Sequence, residues 1–161
     1  METYDDHCIT FDGGSGMLRN LTVTQIGGNP SMAICITSGS PHVHECMISS
    51  QSRHSVLVSG SADPHIKCNH IFNSKRSGIV VTNGARGRYE GNAIRDSDLF
   101  GVYISDDSAP DFIENRIIGN RQGGVVFDGN AKGTLARNDI VDNGFSGVSV
   151  RGKCSPFITN N

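Results

Sequence analysis

The sequence repeats itself every 23 residues over most of its length. Cut at that interval, the chain divides into segments 33–55, 56–78, 79–101, 102–124 and 125–147, followed by a truncated segment 148–161. A period of roughly 20–50 residues is typical of solenoids, in which each repeat packs only against its neighbours. This period constrains the fold more strongly than any single motif, and from Ala33 onward it predicts a repeat without insertions.

The segments share apolar columns at fixed positions. Position 1 holds Ala33, Val56, Ile79, Val102, Val125 and Val148, position 3 begins with Cys35, and position 16 holds Ile48, Ile71, Ile94, Ile117 and Ile140. Alternate residues of a strand face the same side of a sheet, so positions 1 and 3 are predicted to face inward. Ile and Val together number 27, against 12 for Leu and Ala, which favours strands over helices.

Turn residues recur between these columns, with Pro or Gly at position 9 of every segment. Two or three short strands fit in each segment and a helix does not. The sequence therefore predicts an all-β, right-handed, single-stranded parallel β-helix of six or seven coils. Residues 1–32 are predicted to form an irregular first coil or an N-terminal cap, and residues 33–161 the regular coils, of which the last is truncated.

A column of asparagines occupies position 14, between two inward positions. Its members are Asn69, Asn92, Asn115, Asn138 and Asn161, and Cys46 takes the same position in the first regular segment. An asparagine at a corner can adopt left-handed backbone geometry, while its amide hydrogen-bonds its counterparts above and below. We predict a structural asparagine ladder along the solenoid axis.

Charge and composition exclude several classes of function. The net charge is −2, with 14 basic residues scattered among 16 acidic ones, so no field suited to nucleic-acid binding is expected. No stretch approaches the length of apolar residues that spans a membrane, and the N-terminus METYDDHCIT lacks signal-peptide features. The five cysteines show no metal-ligand spacing, which indicates reduced thiols and an intracellular location, cytoplasmic or nuclear.

Residues 101–156 carry recurring phrases of the form G-V-x-I, P-x-I-x-x-N-x-I, G-G-V and G-x-L-x-x-N-D-I. In these phrases the chain resembles the β-helix domain of the F-box only proteins, which is built of PbH1 or CASH-type repeats with a pectate-lyase-like fold. The resemblance implies a module that recognises substrates for a ubiquitin ligase. The same phrases recur in pectate lyases, epimerases and non-enzymatic proteins, so they specify the scaffold better than the function.

The outward face of the first strand supplies one candidate site. Position 2 holds Ile34, Leu57, Val80, Tyr103 and Val126, which form an apolar stripe on a face where a solenoid needs none. Exposed apolar patches mark interaction sites. We therefore predict a non-enzymatic scaffold whose protein partner, of unknown identity, contacts Leu57, Val80, Tyr103 and Val126. The predicted open ends of the solenoid are a second route to association, between copies of the chain.

The alternative hypothesis is a carbohydrate-binding or polysaccharide-modifying β-helix, with lyase-, epimerase- or hydrolase-like relatives. Relatives that cleave acidic polysaccharides use aspartate clusters to bind calcium and an Arg or Lys as base. The resemblance therefore implies roles for Asp106, Asp107, Asp128 and Arg151. Aspartate is also common where a strand gives way to a turn, so the same residues fit a purely structural role.

Histidines on successive coils supply a third pattern. His42 and His65 share position 10, about 5 Å apart at the spacing of paired strands, and His44 lies on the same face. Two or three imidazoles can hold zinc. Because the sequence shows no carboxylate or cysteine to complete the set, we predict solvated surface histidines, and we assign no metal, cofactor or catalytic residue.

Overall fold

The computed structural model describes residues 7–27 and 31–161, which form twenty β-strands and no helix. In chain order the strands are β1 (Ile9–Asp12), β2 (Met17–Arg19), β3 (Thr22–Gln25), β4 (Ile34–Ser38), β5 (His42–His44), β6 (Met47–Ser50), β7 (Val56–Ser59), β8 (His65–Lys67), β9 (His70–Phe72), β10 (Ile79–Thr82), β11 (Arg88–Glu90), β12 (Ala93–Arg95), β13 (Phe100–Ile104), β14 (Asp111–Ile113), β15 (Arg116–Ile118), β16 (Gly123–Phe127), β17 (Thr134–Ala136), β18 (Asp139–Val141), β19 (Ser146–Val150) and β20 (Phe157–Thr159). A membrane-spanning helix is accordingly absent from the described part of the chain.

The strands form three parallel sheets, and each strand pairs with the strand three places further along the chain. The first sheet has the order β1-β4-β7-β10-β13-β16-β19, the second β2-β5-β8-β11-β14-β17-β20, and the third β3-β6-β9-β12-β15-β18. From β7 onward the paired residues are 23 apart, as in the pairs of Ile79 with Val102 and Ile94 with Ile117. The predicted all-β parallel solenoid is confirmed.

The core is a continuous stack of inward side chains shared by all coils. Ile48, Ile71, Ile94 and Ile117 have no exposed surface, and each lies in register with the next. In the second sheet the rings of Tyr89 and Phe112 stack at 4.2 Å between centroids. Burial of these columns removes apolar surface from water, which is the main favourable contribution to the stability of a solenoid.

The predicted register is wrong by one residue at β4. Ile34 pairs with Val56, 22 residues away, so that Ile34 and Ile36 face the core while Cys35 lies beside Leu57 on the outward side. The difference arises in the turn after β4, because seven positions separate Ile36 from Val43 whereas eight separate the equivalent residues of the next coil. A one-residue shift exchanges the two faces of a strand.

Residues 9–25 form a first coil with a longer period than the rest. Ile9 pairs with Ile34 and Val23 with Ile48, a spacing of 25 residues in both sheets. Within the segment predicted as an irregular coil or cap, residues 1–6 and 28–30 lie outside the described residues. β20 is the edge strand of the second sheet at the end opposite to β2, and its residue Phe157 is 65% exposed.

The position-14 asparagines form a hydrogen-bonded ladder at one corner. The side-chain Nδ2 of Asn69 donates to Oδ1 of Asn92 at 2.9 Å, and the bond repeats along the axis to Asn161. The expectation of left-handed geometry at the asparagines themselves is wrong. The positive φ angles belong to the preceding residues, such as Cys68 at 54° and Glu114 at 56°. The left-handed residue bends the chain, and the asparagine that follows is buried in the stack.

A second, shorter ladder lies at another corner and was not expected from the sequence. Asn120 Nδ2 donates to Asn143 Oδ1 at 2.9 Å, and the backbone N–H of Ser97 donates to Asn120 Oδ1 at 3.1 Å. Left-handed residues precede this ladder too, with Gly119 at φ 66° and Asp142 at φ 53°. The column is hard to recognise in the sequence because its earlier members are serines.

Candidate functional site

The outward column of the first sheet is mostly covered within the chain. Val80, Tyr103 and Val126 lie side by side in register. Val126 has no exposed surface and Val80 is 7% exposed, whereas Leu57 and Tyr103 are half-buried. The continuous apolar stripe expected from the sequence is therefore interrupted, and two of the four residues predicted to contact a protein partner offer little surface for contact.

A groove of about 600 Å³ runs over this face. Its lining comes from three places: the segments before the strands, the strands themselves, and the segments after the strands. In that order the lining residues are His54, Ser77 and Leu99, then Val80, Thr82, Phe100 and Tyr103, then Ser105, Asp106, Asp128 and Gly129. The volume lies within the range of roughly 300–1,000 Å³ that is typical of small-molecule sites.

Two aromatic rings lie together in this groove. Phe100 and Tyr103, both on β13, have ring centroids 5.9 Å apart and planes inclined by only 21°. Phe100 pairs with Gly123 on the next coil, where a Cβ atom would come within 3.4 Å of the ring. The glycine therefore leaves space beside the Phe100 ring, which is half-buried and forms part of the groove wall.

The hydroxyl of Tyr103 is the polar group of this aromatic pair. Its hydroxyl donates a hydrogen bond to Asp128 Oδ2 at 2.9 Å, and the backbone N–H of Gly129 donates to Asp128 Oδ1 at 2.8 Å. Burial, followed by the hydrogen bond to Asp128, raises the pKa of Tyr103 above its usual value. The tyrosine thus stays protonated at neutral pH, and its hydrogen bond fixes the Asp128 carboxylate in the groove.

A second carboxylate is held by two hydroxyls. Thr82 Oγ1 and Ser105 Oγ donate to Asp106 Oδ2 at 2.6 and 2.9 Å. The hydrogen bond from Thr82 and then that from Ser105 lower the pKa of Asp106, because they stabilise its charged form. Asp106 consequently presents an ionised, oriented acceptor on the same side of the groove as Asp128.

The carboxylates do not converge on a cation in the way that the calcium hypothesis requires. Asp106 and Asp107 are turn residues with φ angles of 52° and 61°, and Asp107 does not line the groove. Within residues 7–27 and 31–161, the only group of three possible metal ligands close to one another is a set of histidines. Arg151 is exposed and donates from Nε to Ser149 Oγ at 3.2 Å, outside the groove lining.

His54 belongs to the groove although sequence analysis did not single it out. Its Nδ1 accepts a hydrogen bond from the backbone N–H of Ser77 at 3.1 Å. Burial lowers its pKa to about 4, with smaller contributions from the charges of Arg53 and Arg76. The 23-residue period contains the information that could have identified His54, because His54, Ser77 and Phe100 occupy one column on successive coils.

His42, His44 and His65 lie on a different face, the outside of the second sheet. Their ring centroids are between 5.1 and 5.7 Å apart, so the three imidazoles form one cluster. A carboxylate lies near one member of the cluster, since Glu90 Oε2 is 3.6 Å from His65 Nε2. Glu90 lies on β11, two coils along the chain from β5, and the register of β5, β8 and β11 places it on the coil next to His65.

Three parallel sheets wound with a 23-residue period define a parallel β-solenoid. The family model described as a right handed beta helix region matches residues 7–161, and the chain belongs to this family. No curated protein and no solved structure matches the sequence significantly. The family match supports the β-helix itself and does not extend to the F-box only proteins in particular.

Proposed function

We propose that the groove on the first sheet binds a neutral oligosaccharide, and that the protein acts as a carbohydrate-binding β-helix. The observation that carries this proposal is the Phe100–Tyr103 ring pair beside two fixed carboxylates in one open groove. Aromatic rings offer flat apolar surfaces to the C–H faces of a sugar, and carboxylates accept hydrogen bonds from sugar hydroxyls. Both kinds of contact are available here within one strand and its neighbours.

The charge of the groove favours a neutral ligand over an acidic one. Asp106 and Asp128 line it, and Asp107 lies beside Asp106 in the turn. A uronic acid or a phosphate placed among them would meet like charges unless a cation intervened. Because the three carboxylates do not converge on a common point, we expect binding that is independent of calcium.

Protein recognition, as the resemblance to the F-box only proteins implies, is the competing hypothesis. A protein partner usually buries a central cluster of exposed apolar or aromatic side chains. On this face Val126 and Val80 are already buried, which leaves Leu57 and Tyr103 as half-buried apolar contacts. A groove with oriented polar acceptors suits a small polyhydroxylated ligand better than it suits a flat protein surface.

A glycan array, followed by calorimetry on any ligand found, tests the proposal. We expect binding with and without calcium, weakened about tenfold or more in Phe100→Ala, since loss of an aromatic contact of about 1.4 kcal/mol changes affinity tenfold. Asp128→Asn should also weaken binding, because it removes the charged acceptor that Tyr103 holds in place. Phe157→Ala is the matched control, since it removes an exposed phenylalanine from the second sheet.

Three results would contradict the proposal. One is an array without any bound glycan, together with a protein partner whose binding is lost in Leu57→Ala. Another is glycan binding that strictly requires calcium, which would support a cation-bridged acidic ligand. The third is equal loss of affinity in Phe100→Ala and Phe157→Ala, which would place the ligand outside the groove.

A further inference from the structure

Three histidines are directed to the same side of the second sheet by strand geometry. His42 and His44 are two residues apart on β5, and Val43 between them is fully buried in the core. Side chains alternate between the faces of a strand, so both histidines face outward. His65 lies directly beside His42 in the register of β5 with β8. The cluster therefore belongs to a rigid part of the scaffold.

Two of the ring nitrogens in this cluster have unsatisfied hydrogen-bonding capacity. His44 Nε2 and His65 Nε2 are shielded from solvent; His44 Nε2 has no hydrogen-bond partner among the described residues, and His65 Nε2 has only a long contact of 3.6 Å with Glu90 Oε2. Buried polar atoms are normally paired, and an unpaired one is unusual in a folded protein. A metal ion coordinated by these nitrogens would supply the missing partner.

The ligand atoms are already near one another. One nitrogen from each of His42, His44 and His65 lies within 4.8 Å of the other two. Tetrahedral zinc holds its nitrogen ligands at about 2.0–2.1 Å, which places them about 3.4 Å apart. Small rotations of the imidazoles about their side-chain bonds would shorten the distances between the nitrogens to the spacing that zinc requires, without moving the strands.

The surrounding charges hold a carboxylate beside the cluster. Glu90 Oε2 lies 3.6 Å from His65 Nε2, and Glu90 is anchored by Arg88 Nε at 2.8 Å and by Lys67 Nζ at 3.3 Å.

We propose that His42, His44 and His65 form a binding site for zinc, with Glu90 as the fourth ligand or as the acceptor that orients an imidazole. Three imidazoles suit zinc and other late first-row divalent metals, whereas magnesium and calcium require oxygen ligands. This site is independent of the proposed sugar groove, since it lies on another sheet and shares no residue with that groove.

Calorimetric titration of the chain with zinc chloride tests the site directly. We expect one zinc ion per chain. Loss of a partner that orients a metal ligand lowers metal affinity by about 10–100-fold, and we expect Glu90→Gln to weaken zinc binding by about that factor. His44→Ala and His65→Ala should each weaken zinc binding by a larger factor. His70→Ala is the matched control, because His70 is exposed on the third sheet and should leave the affinity unchanged. Equal melting temperatures of all variants in EDTA would show that each one is folded.

A further measurement distinguishes zinc held by the histidine cluster from zinc bound elsewhere on the chain. Cobalt in place of zinc should give intense tetrahedral d–d bands without a thiolate charge-transfer band, because the exposed thiols Cys8 and Cys68 are not in the cluster. The proposal is overturned by absent zinc binding, by parent-like affinity in the histidine variants, or by a thiolate band.

Discussion

Replacement of Asn115 by alanine removes one rung from the middle of the asparagine ladder. Asn115 is 1% exposed, and its Nδ2 donates to the carbonyl of Tyr89 and to Asn138 Oδ1, both at 2.9 Å. Its Oδ1 accepts from the backbone N–H of Asn92 at 3.0 Å and from Asn92 Nδ2 at 2.9 Å. Four hydrogen bonds are therefore lost together in a corner closed to water.

The magnitude depends on which partners are left without any bond. Asn138 Oδ1 keeps the bond from the backbone N–H of residue 115, and Asn92 Nδ2 keeps its bond to the carbonyl of Ile66. The carbonyl of Tyr89 remains in the pairing of β11 with β14, whereas the N–H of Asn92 loses its hydrogen bond to Asn115 Oδ1. At about 1–3 kcal/mol for an unsatisfied buried group, Asn115→Ala should reduce the free energy of unfolding by about 1–3 kcal/mol.

Thermal and urea unfolding followed by far-ultraviolet circular dichroism can measure this loss, since the chain has no tryptophan to report on it by fluorescence. A chain of this size loses roughly 2–4 °C in melting temperature per kcal/mol, so the expected drop is roughly 2–12 °C. Asn161→Ala is the matched control. It removes the same kind of bonds to Asn138, Leu135 and Thr159, but at an exposed position where water replaces them.

We expect the control to cost less than about 1 kcal/mol, because solvated groups lose little when a partner is removed. Equal destabilisation by Asn115→Ala and Asn161→Ala would refute the role assigned to burial. A loss under about 1 kcal/mol in Asn115→Ala would refute the contribution of the ladder to stability altogether.

Two further predictions concern pH and packing. The pKa of His54 is about 4 in the fold against 6.5 for the free side chain, so the unfolded chain takes up a proton first as the pH falls from 6.5 to 4. The free energy of unfolding should decrease over that window by up to about 3 kcal/mol, and a pH series of urea titrations should show a smaller decrease in His54→Gln. Gly144→Ala would place a Cβ atom 1.9 Å from the carbonyl oxygen of Arg121, whereas Gly147→Ala meets its nearest atom at 3.6 Å. The free energy of unfolding should fall by about 1–3 kcal/mol or more in Gly144→Ala and by much less in Gly147→Ala. Equal melting temperatures of the two variants would contradict the close approach of neighbouring coils at Gly144.

Several features of the fold follow from sequence periodicity because strand pairing is set by equal spacing along the chain. The inward column of Ile48 to Ile140 predicts its own stacking, and the position-14 asparagines lie directly above one another for the same reason. The prediction fails at β4, where one residue fewer in a turn shifts the register. A fixed period cannot show such a shift, because apolar residues occupy both alternate sets of positions from Ala33 to Ile36.

The candidate sites were less accessible to sequence reasoning. Position 2 was predicted to face outward, and Val80, Tyr103 and Val126 do so, but the period contains no information on how much of each is covered. The adjacency of His42 and His65 follows from the repeat, whereas the approach of Glu90 depends on its ion pairs with Lys67 and Arg88. Such contacts arise from side-chain conformations, which the spacing of residues does not determine.

By itself the sequence determined that this chain winds into a parallel solenoid with shared inner columns, because a 23-residue period of branched apolar residues can bury them only by stacking coil on coil. The tertiary structure alone decided where the outer surface is open. The groove on the first sheet is bounded by segments from several coils, from His54 to Gly129, which include the turns on either side of the sheet. Inner positions are fixed by the need to exclude water, which every coil shares, whereas outer positions depend on local packing that differs from one coil to the next.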